Sequence, residues 1–503
     1  MSNIMENNKS LFNIESKSFN NLLKVSIIAC FAVVLTKIIF TFIYGSELSL
    51  VTGAWVGLAM DLRDGIFYRP LYSEATGFGG TRFFPLFFTI HALLMKVSGT
   101  TFISGYIISI FSGLLLLGAC YRLLRKMEIE STIIFGLIAL LVSTFSIQLG
   151  FVSIRSDILP VALNIIGIAF ILSDYDIKYK RILASLFFVL AFSAKVTAVS
   201  GLVSVFLWLV LNKRMKDAFW ILLLTASGYV LFIAGLYLAT SGRIYTIFTE
   251  CSSGGANLLT AISAPFKFSK KIIKYDIVCM LSSLWAMLVI CRYKKALIKD
   301  LFFLFWLFSI LITVFIFTSP GTEYNHIVDV TVASVLLTGS MIYQNKFHNK
   351  KLFMKLFSVL LIFAVVYNAF WLSDLIIDKN KHVDVKFPKE IVDVCRSNNG
   401  IVIAERPILP VLANKKPYVL DSFMLRILVT KDNDIKMALL DGVNQRKYSA
   451  IIFSTDPLIN MEERAYFHYG REFIQAVVSY YKVGIRNGDF VVYFPDYYEL
   501  DKN

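Results

Sequence analysis

LLKVSIIACFAVVLTKIIFTFIYGSE, residues 22–47, is a continuous apolar run that ends in a carboxylate, and it decides the class of the fold. The part from Leu22 to Tyr44 is long enough to cross about 30 Å of hydrocarbon, which takes about 20 residues in a helix. No small-residue cleavage site follows it, so it reads as a signal anchor retained in the membrane and not as a removable leader. Glu47 then marks the first place where the chain meets water again.

The same character repeats along the chain. Apolar runs at 102–121, 132–150, 155–173, 182–194, 197–211, 218–240, 276–291, 301–318, 328–343 and 352–372 bring the expectation to about eleven spans. Composition agrees: 57% of the 503 residues are hydrophobic and 17% charged, against roughly a quarter charged in soluble proteins. That is too little polar surface to cover a water-soluble globule of this length. The formal net charge of +15 would suggest nucleic acid in a soluble protein. Here the basic residues fall in short clusters between apolar runs, which makes them topological signals and argues against a nucleic-acid partner.

Those clusters set a direction. Arg122/Arg125/Lys126, Lys178/Lys180/Arg181, Lys213/Arg214/Lys216, Arg292/Lys294/Lys295 and Lys346/Lys350/Lys351 recur after every second run. By the positive-inside rule they are cytoplasmic, with the N-terminus inside and the C-terminal end outside. Lys267, Lys270, Lys271 and Lys274 break the pattern, since parity places them outside. Either the parity changes nearby, or an outward amphipathic helix meets lipid head groups or an anionic ligand, and the agreement of all the other loops favours the second. The run 84–97 is short and no basic cluster follows it, so it reads as an interfacial helix within a long outer loop, 45–101. The six cysteines show no CxxC pair and no metal-ligand spacing, and most lie in the apolar runs; Cys251 and Cys395 fall outside them.

Composition changes near residue 374. Short apolar runs at Ile401–Ala404, Tyr418–Leu420, Ala450–Ser454 and Phe490–Phe494 alternate with polar helical stretches at 434–446 and 462–478. This predicts two parts, a transmembrane domain over 1–373 that includes the outer loop, and a small extracytoplasmic α/β domain over 374–503.

Charged groups at the membrane face are costly unless paired or functional, so they are the first site candidates. On the expected outer face they include Glu47, Asp61, Arg63, Asp64, Arg82, Arg155, Asp157, Lys195, Arg243, Glu323, His326 and Asp329. Carboxylates serve as general bases on a hydroxyl, and Arg or Lys hold a phosphate and stabilise the charge it gains as a bond to it breaks. No Walker loop, GxSxG, HExxH or GxGxxG element is present. Each candidate also has a plain structural reading. Glu47 caps a helix, Asp61 and Asp64 pair with Arg63 at the surface, and Arg82 snorkels to the head groups. Arg155 and Asp157 form an internal ion pair. Lys195 has apolar neighbours and no adjacent carboxylate in the sequence.

The order of these elements resembles the GT-C superfamily of polyprenyl-phosphate-sugar-dependent glycosyltransferases, near the protein mannosyltransferases and the lipid A aminoarabinose transferases. In that superfamily an acidic residue follows the first span, then a Gly-x-x-Tyr-x-Pro-like segment, then a basic residue before Pro-Leu. This chain has Glu47, Gly65-Ile66-Phe67-Tyr68-Arg69-Pro70 and Arg82-Phe83-Phe84-Pro85-Leu86. Arg155-Ser156-Asp157 is similar to the Arg-x-x-Asp element with shorter spacing, and Ala194-Lys195-Val196-Thr197 to the Lys-Gly or Lys-Thr step. The resemblance implies that Glu47 is the base or positions the acceptor, with Asp157 as a second acidic group and Asp61 or Asp64 as rivals. It implies that Arg82 and Lys195 meet the lipid-linked phosphate, with Arg155 and Arg243 as further donor-binding candidates. Where the superfamily often has Asp-Glu or Asp-x-Asp, this chain has Ser46-Glu47, so no metal site and no cofactor are expected from the motif. The implied partners are a polyprenyl-phosphate sugar donor, a glycan, lipid or protein acceptor, and membrane lipid. A transporter of lipid-linked sugars and a polymerase or ligase using a pyrophosphate-linked donor are the rival readings.

Overall fold

The computed structural model describes residues 2–252, 256–290, 297–345, 350–458 and 464–496. Among the described residues, sixteen α-helices make up most of the first three quarters of the chain. They are α1 (Ser2–Tyr44), α2 (Leu50–Arg63), α3 (Pro85–Ser98), α4 (Phe102–Lys126), α5 (Ser131–Val142), α6 (Phe145–Val152), α7 (Ile158–Ile171) and α8 (Ile177–Ala194). There follow α9 (Ser200–Leu211), α10 (Met215–Ala239), α11 (Arg243–Cys251), α12 (Leu258–Tyr275), α13 (Ile277–Ile290), α14 (Leu301–Ile316), α15 (Val328–Asn345) and α16 (Lys350–Ile377).

Among the described residues five helical segments are long and apolar enough to cross a membrane: Asn20–Tyr44, Phe102–Lys126, Met215–Ala239, Tyr324–Tyr343 and Lys355–Ile377. The protein is an integral membrane protein. A sixth span results if α5 and α6, bent by 73° at their junction, are taken together. Of the other expected runs, 155–173, 197–211 and 301–318 form the shorter apolar helices α7, α9 and α14. An apolar run in a sequence fixes that a segment is buried, but not that it crosses unbroken. Where the chain bends or stops short, neighbouring helices and polar side chains must satisfy the freed backbone groups. The bend at Ser143-Thr144 shows how: Asn368 Nδ2 donates to the Ser143 carbonyl (2.9 Å) and Gln148 Nε2 to the Val142 carbonyl (2.9 Å).

The run 84–97 lies in α3, whose 14 residues span about 21 Å and bury Phe87, Phe88, His91 and Met95. Ahead of it a two-stranded ribbon, β1 (Tyr72–Ser73) with β2 (Gly77–Phe78), closes the glycine-rich turn.

Beyond α16 the chain forms α17 (Val383–Lys386), α18 (Lys389–Ser397), α19 (Ile408–Leu412), α20 (Ser422–Lys431), α21 (Asn433–Asn444), α22 (Arg464–Tyr469) and α23 (Arg471–Tyr480). With them comes a sheet of order β3-β4-β6-β5, made of β3 (Ile401–Ala404), β4 (Tyr448–Phe453), β5 (Tyr481–Asn487) and β6 (Phe490–Pro495). β3 runs parallel to β4, and the other pairings are antiparallel. Residues 418–420 form no strand of this sheet. Val419 bridges to Phe78 of β2, with Phe78 N donating to the Tyr418 carbonyl (2.8 Å) and Leu420 N to the Phe78 carbonyl (3.0 Å).

One hydrophobic core joins Trp55, Val56, Ala59, Phe87 and Phe88 of the outer loop with Phe387, Ile391, Ile408 and Val492. Gly53 marks the closest approach: a Cβ there would stand 2.2 Å from the Ile408 backbone nitrogen, so α2 and α19 pack backbone to backbone. Cys251 and Cys395 are buried and unpaired.

Candidate active site

Glu47 lies in the turn that joins α1 to α2, a turn made possible by Gly45 at φ +58°. The helix cap is Ser49, whose side chain accepts from Thr52 N, so Glu47 is free of that task. Its half-buried carboxylate makes no hydrogen bond to any described residue, and its charged neighbours are Lys386, Arg155 and Lys37. Lys386 is anchored beside it by donating to the Ser46 carbonyl (2.8 Å). Burial pushes the Glu47 carboxyl above the usual carboxylate range, against the pull of those three cations.

Asp157, at the start of α7, organises the next layer. Arg155 Nε lies 3.1 Å from one of its oxygens. Lys195 Nζ (3.3 Å) and Asn325 Nδ2 (2.8 Å) share the other. Lys195 closes α8 in extended backbone, and Ser156 Oγ ties the 153–157 segment to that helix end by donating to the Ala194 carbonyl (3.1 Å). The carboxylate missing from the sequence around Lys195 is therefore supplied across space. Buried cations and a carboxylate in such a network hold one another's geometry.

The segment Pro320–His326 closes on this layer through the short 3₁₀ turn Tyr324–Ile327. His326 has Lys195, Asp157, Arg155 and Arg82 as charged neighbours, and its buried Nδ1 has no hydrogen-bond partner among the described residues. Arg82 approaches from the opposite side. Its Nη1 donates to Ser319 Oγ (2.9 Å), and its guanidinium lies 5.7 Å from the centre of the Phe423 ring. Glu47, Arg155, Asp157, Lys195 and Arg82 thus form one connected set at the junction of α1, α7, α8 and the outer loop.

Asp61 and Arg243 stand apart from it. Asp61 forms a fully buried ion pair with Arg69 (Nη2 to Oδ2, 2.6 Å). Arg69 in turn donates to the carbonyls of Thr76 (2.6 Å) and Pro417 (2.8 Å). Asp64 pairs with Arg63 and Lys416 near the surface. Arg243 donates to the Thr240 carbonyl (3.1 Å) and lines a separate cavity of about 480 Å³ with Tyr72, Asp432 and Asp434.

Several residues at the set were absent from the sequence candidates. Lys37 is buried within the first span, near Asn368 Oδ1 (3.5 Å) and over the Phe145 ring; a charge inside an apolar run is the signal that would have found it. Asn325 carries no charge, but it lies in the polar, aromatic outer stretch 320–326 between the candidates Glu323 and His326; Lys386 carries no such signal. Arg426 of α20 is stacked between Phe423 (4.9 Å) and Phe467 (4.4 Å), with Nε and Nη2 buried and without hydrogen-bond partners among the described residues, and Arg82 is its charged neighbour. Among the described residues no three His, Cys, Asp or Glu side chains gather closely enough to hold a metal ion.

Comparison with known proteins places this geometry in a fold. No protein-family model and no curated protein matches the sequence. Among solved structures, ArnT from Cupriavidus metallidurans bound to undecaprenyl phosphate matches with a TM-score of 0.57 at 11% identity, over 92% of this chain and 97% of that one. The oligosaccharyltransferase of Archaeoglobus fulgidus, tethered to an acceptor peptide containing the NVT sequon, matches with a TM-score of 0.55 at 10% identity, over 91% and 72%. Archaeal AglB from the same organism, in complex with an inhibitory peptide and a dolichol-phosphate, matches with a TM-score of 0.53 at 10% identity, over 97% and 75%. The chain thus shares, over nine-tenths of its length, the fold of ArnT and of the archaeal oligosaccharyltransferase.

Proposed function

From a chain with this fold, we propose a membrane glycosyltransferase that moves a sugar from a polyprenyl-phosphate donor to a glycan, lipid or protein acceptor on the outer face of the membrane. The N-terminus is then cytoplasmic, and residues 374–503 form an extracytoplasmic domain. The observation that supports this reading most directly is a carboxylate with no hydrogen bond of its own beside a network of fixed cations.

In this mechanism Glu47 accepts the proton of an acceptor hydroxyl as its oxygen attacks the anomeric carbon. The bond from that carbon to the phosphate oxygen breaks, with inversion, and the electron pair leaves with the phosphate. Arg82 and Lys195 hold the phosphate and stabilise the negative charge it gains, so the leaving group needs no strong acid. Asp157 positions Lys195 and Arg155 and keeps their charges in place while the site is empty. Arg426 offers two further N–H groups next to Arg82. Asp61 holds Arg69, and through it the outer loop.

The test is transfer of a labelled sugar from a polyprenyl phosphate by the purified protein, across a panel of acceptors. Glu47→Gln is expected to lose about 10²–10⁴-fold in turnover, whereas Asp61→Asn retains the chemistry in whatever fraction folds. The reverse pattern would remove Glu47 as the base. Translocation of the lipid-linked sugar in liposomes without transfer to any acceptor would replace the enzyme reading by a transporter.

A further inference from the structure

Helix α12 has three faces. At about 100° per residue, Ala264, Phe268 and Ile272 fall on one side and are buried against the bundle. Leu259, Ile262, Phe266 and Ile273 fall about a third of the circumference away and are exposed, Leu259 to 75% and Phe266 to 77%. Lys267, Lys270, Lys271 and Lys274 fill the remaining third.

The surroundings identify what covers the exposed apolar face. Tyr367 of the spanning helix α16 donates its hydroxyl to the Lys274 carbonyl (3.0 Å), which sets the last turn of α12 against the membrane-crossing bundle. An apolar stripe beside spanning helices is covered by lipid, and lysines flanking such a stripe extend their ammonium groups to the phosphate level. Lys267, Lys270 and Lys274 form no ion pair among the described residues. Lys271 differs: it pairs with Glu323 and lies 5.8 Å from the centres of the Tyr275 and Tyr324 rings. Tyr324 opens the turn that supplies Asn325 to Asp157 and brings His326 to Lys195.

We propose that α12 binds anionic phospholipid of the surrounding bilayer, its apolar stripe in the acyl region and Lys267, Lys270 and Lys274 on the headgroup phosphates, and that this occupancy steadies the 324–327 turn through the Lys271–Glu323 pair. The occupant is bulk phospholipid and not the sugar donor, because these three lysines face outward and none is a charged neighbour of Glu47, Asp157 or His326. Headgroup phosphates relieve the mutual repulsion of four lysines on one face, so α12 packs more firmly and the turn it contacts moves less. The lipid-binding half is independent of the glycosyltransferase reading; the consequence for turnover rests on it.

The experiment places the full chain in phosphatidylcholine nanodiscs with and without phosphatidylglycerol. It reads spin-labelled lipid immobilised at the protein and hydrogen exchange across residues 322–327. Phosphatidylglycerol is expected to be enriched over phosphatidylcholine, less so at high salt, and to slow exchange across the turn. The triple variant K267Q/K270Q/K274Q loses both effects, while a second variant, F266S, loses the enrichment with its lysines intact. Equal enrichment and equal protection in the triple variant would overturn the proposal. So would protection that requires added polyprenyl phosphate and ignores phosphatidylglycerol, since the lysines would then serve the carrier lipid. Absence of sugar transfer in every lipid would count against the glycosyltransferase alone, because neither readout depends on turnover.

Discussion

At Glu47 two opposing effects meet, burial that favours the neutral acid and three cations that favour the carboxylate, and burial is the larger. A base works only when deprotonated, so turnover is expected to fall as pH drops through a value above the ordinary Glu range of about 4.3. Lys386 is the strongest of the cations acting on Glu47. Removing it as Lys386→Met takes away a stabiliser of the carboxylate, so the acid limb of kcat/KM should move to still higher pH. A limb that stays in place or moves down would disconnect Lys386 from the base. Glu47, Arg82, Lys195 and Asp157 were legible in the sequence because each stands beside a recognisable element: a span end, a Pro-Leu step, a helix junction. Asn325 was legible only as part of the polar outer stretch 320–326, and Arg426 was not. An asparagine in a polar loop and an arginine in an ordinary helix gain meaning only from Asp157 and from the two phenylalanine rings that the fold brings to them.

Helices that stop short explain why the sequence ran ahead of the structure. The run 132–150 reads as one span, yet it bends by 73° between α5 and α6. Hydropathy is blind to that bend, since Ser143 and Thr144 are ordinary residues for a membrane helix. What permits it lies more than two hundred residues away. Asn368 in α16 donates to the Ala364 and Ser143 carbonyls and accepts from Gln148 Nε2 (2.7 Å), so the end of α5 finds its partner, while Asp276 accepts from Ser146 N at the start of α6 (3.3 Å). Asn368→Leu keeps the side-chain size but leaves the Ser143 carbonyl without its donor and removes one of the two acceptors of Gln148 Nε2 in a dry interior. It should cost about 1–2 kcal/mol, seen as a lower midpoint of thermal unfolding in detergent. An unchanged midpoint would mean that water or a relaxed helix end supplies the missing bonds.

On the scale of the whole chain, composition draws a line near residue 374, but the contacts cross it. Apolar content reports which segments avoid water and is silent on which of them share a core. Here the outer-loop helix α2 packs on α19 and on α3, and all three share one core with residues of α18 and β6. The β2 backbone is continued by residues 418–420, and Arg69 reaches the Pro417 carbonyl. The loop that holds Arg82 is therefore shaped by residues more than three hundred positions later. A chain ended after α16, at residue 378, should keep its helical bundle in the membrane while residues 45–101 become open to protease, with loss of sugar transfer. Gly53→Val tests the same joint without deleting anything. Its side chain would collide with the Ile408 backbone, which cannot yield as a flexible side chain would, and overpacking of this kind costs about 1–3 kcal/mol. Both variants should therefore expose one set of cleavage sites within 45–101, the truncated chain fully and Gly53→Val in part. Full protease resistance of that loop in the truncated chain would show that it folds on the bundle alone, with the later residues an addition to the site and not part of its foundation.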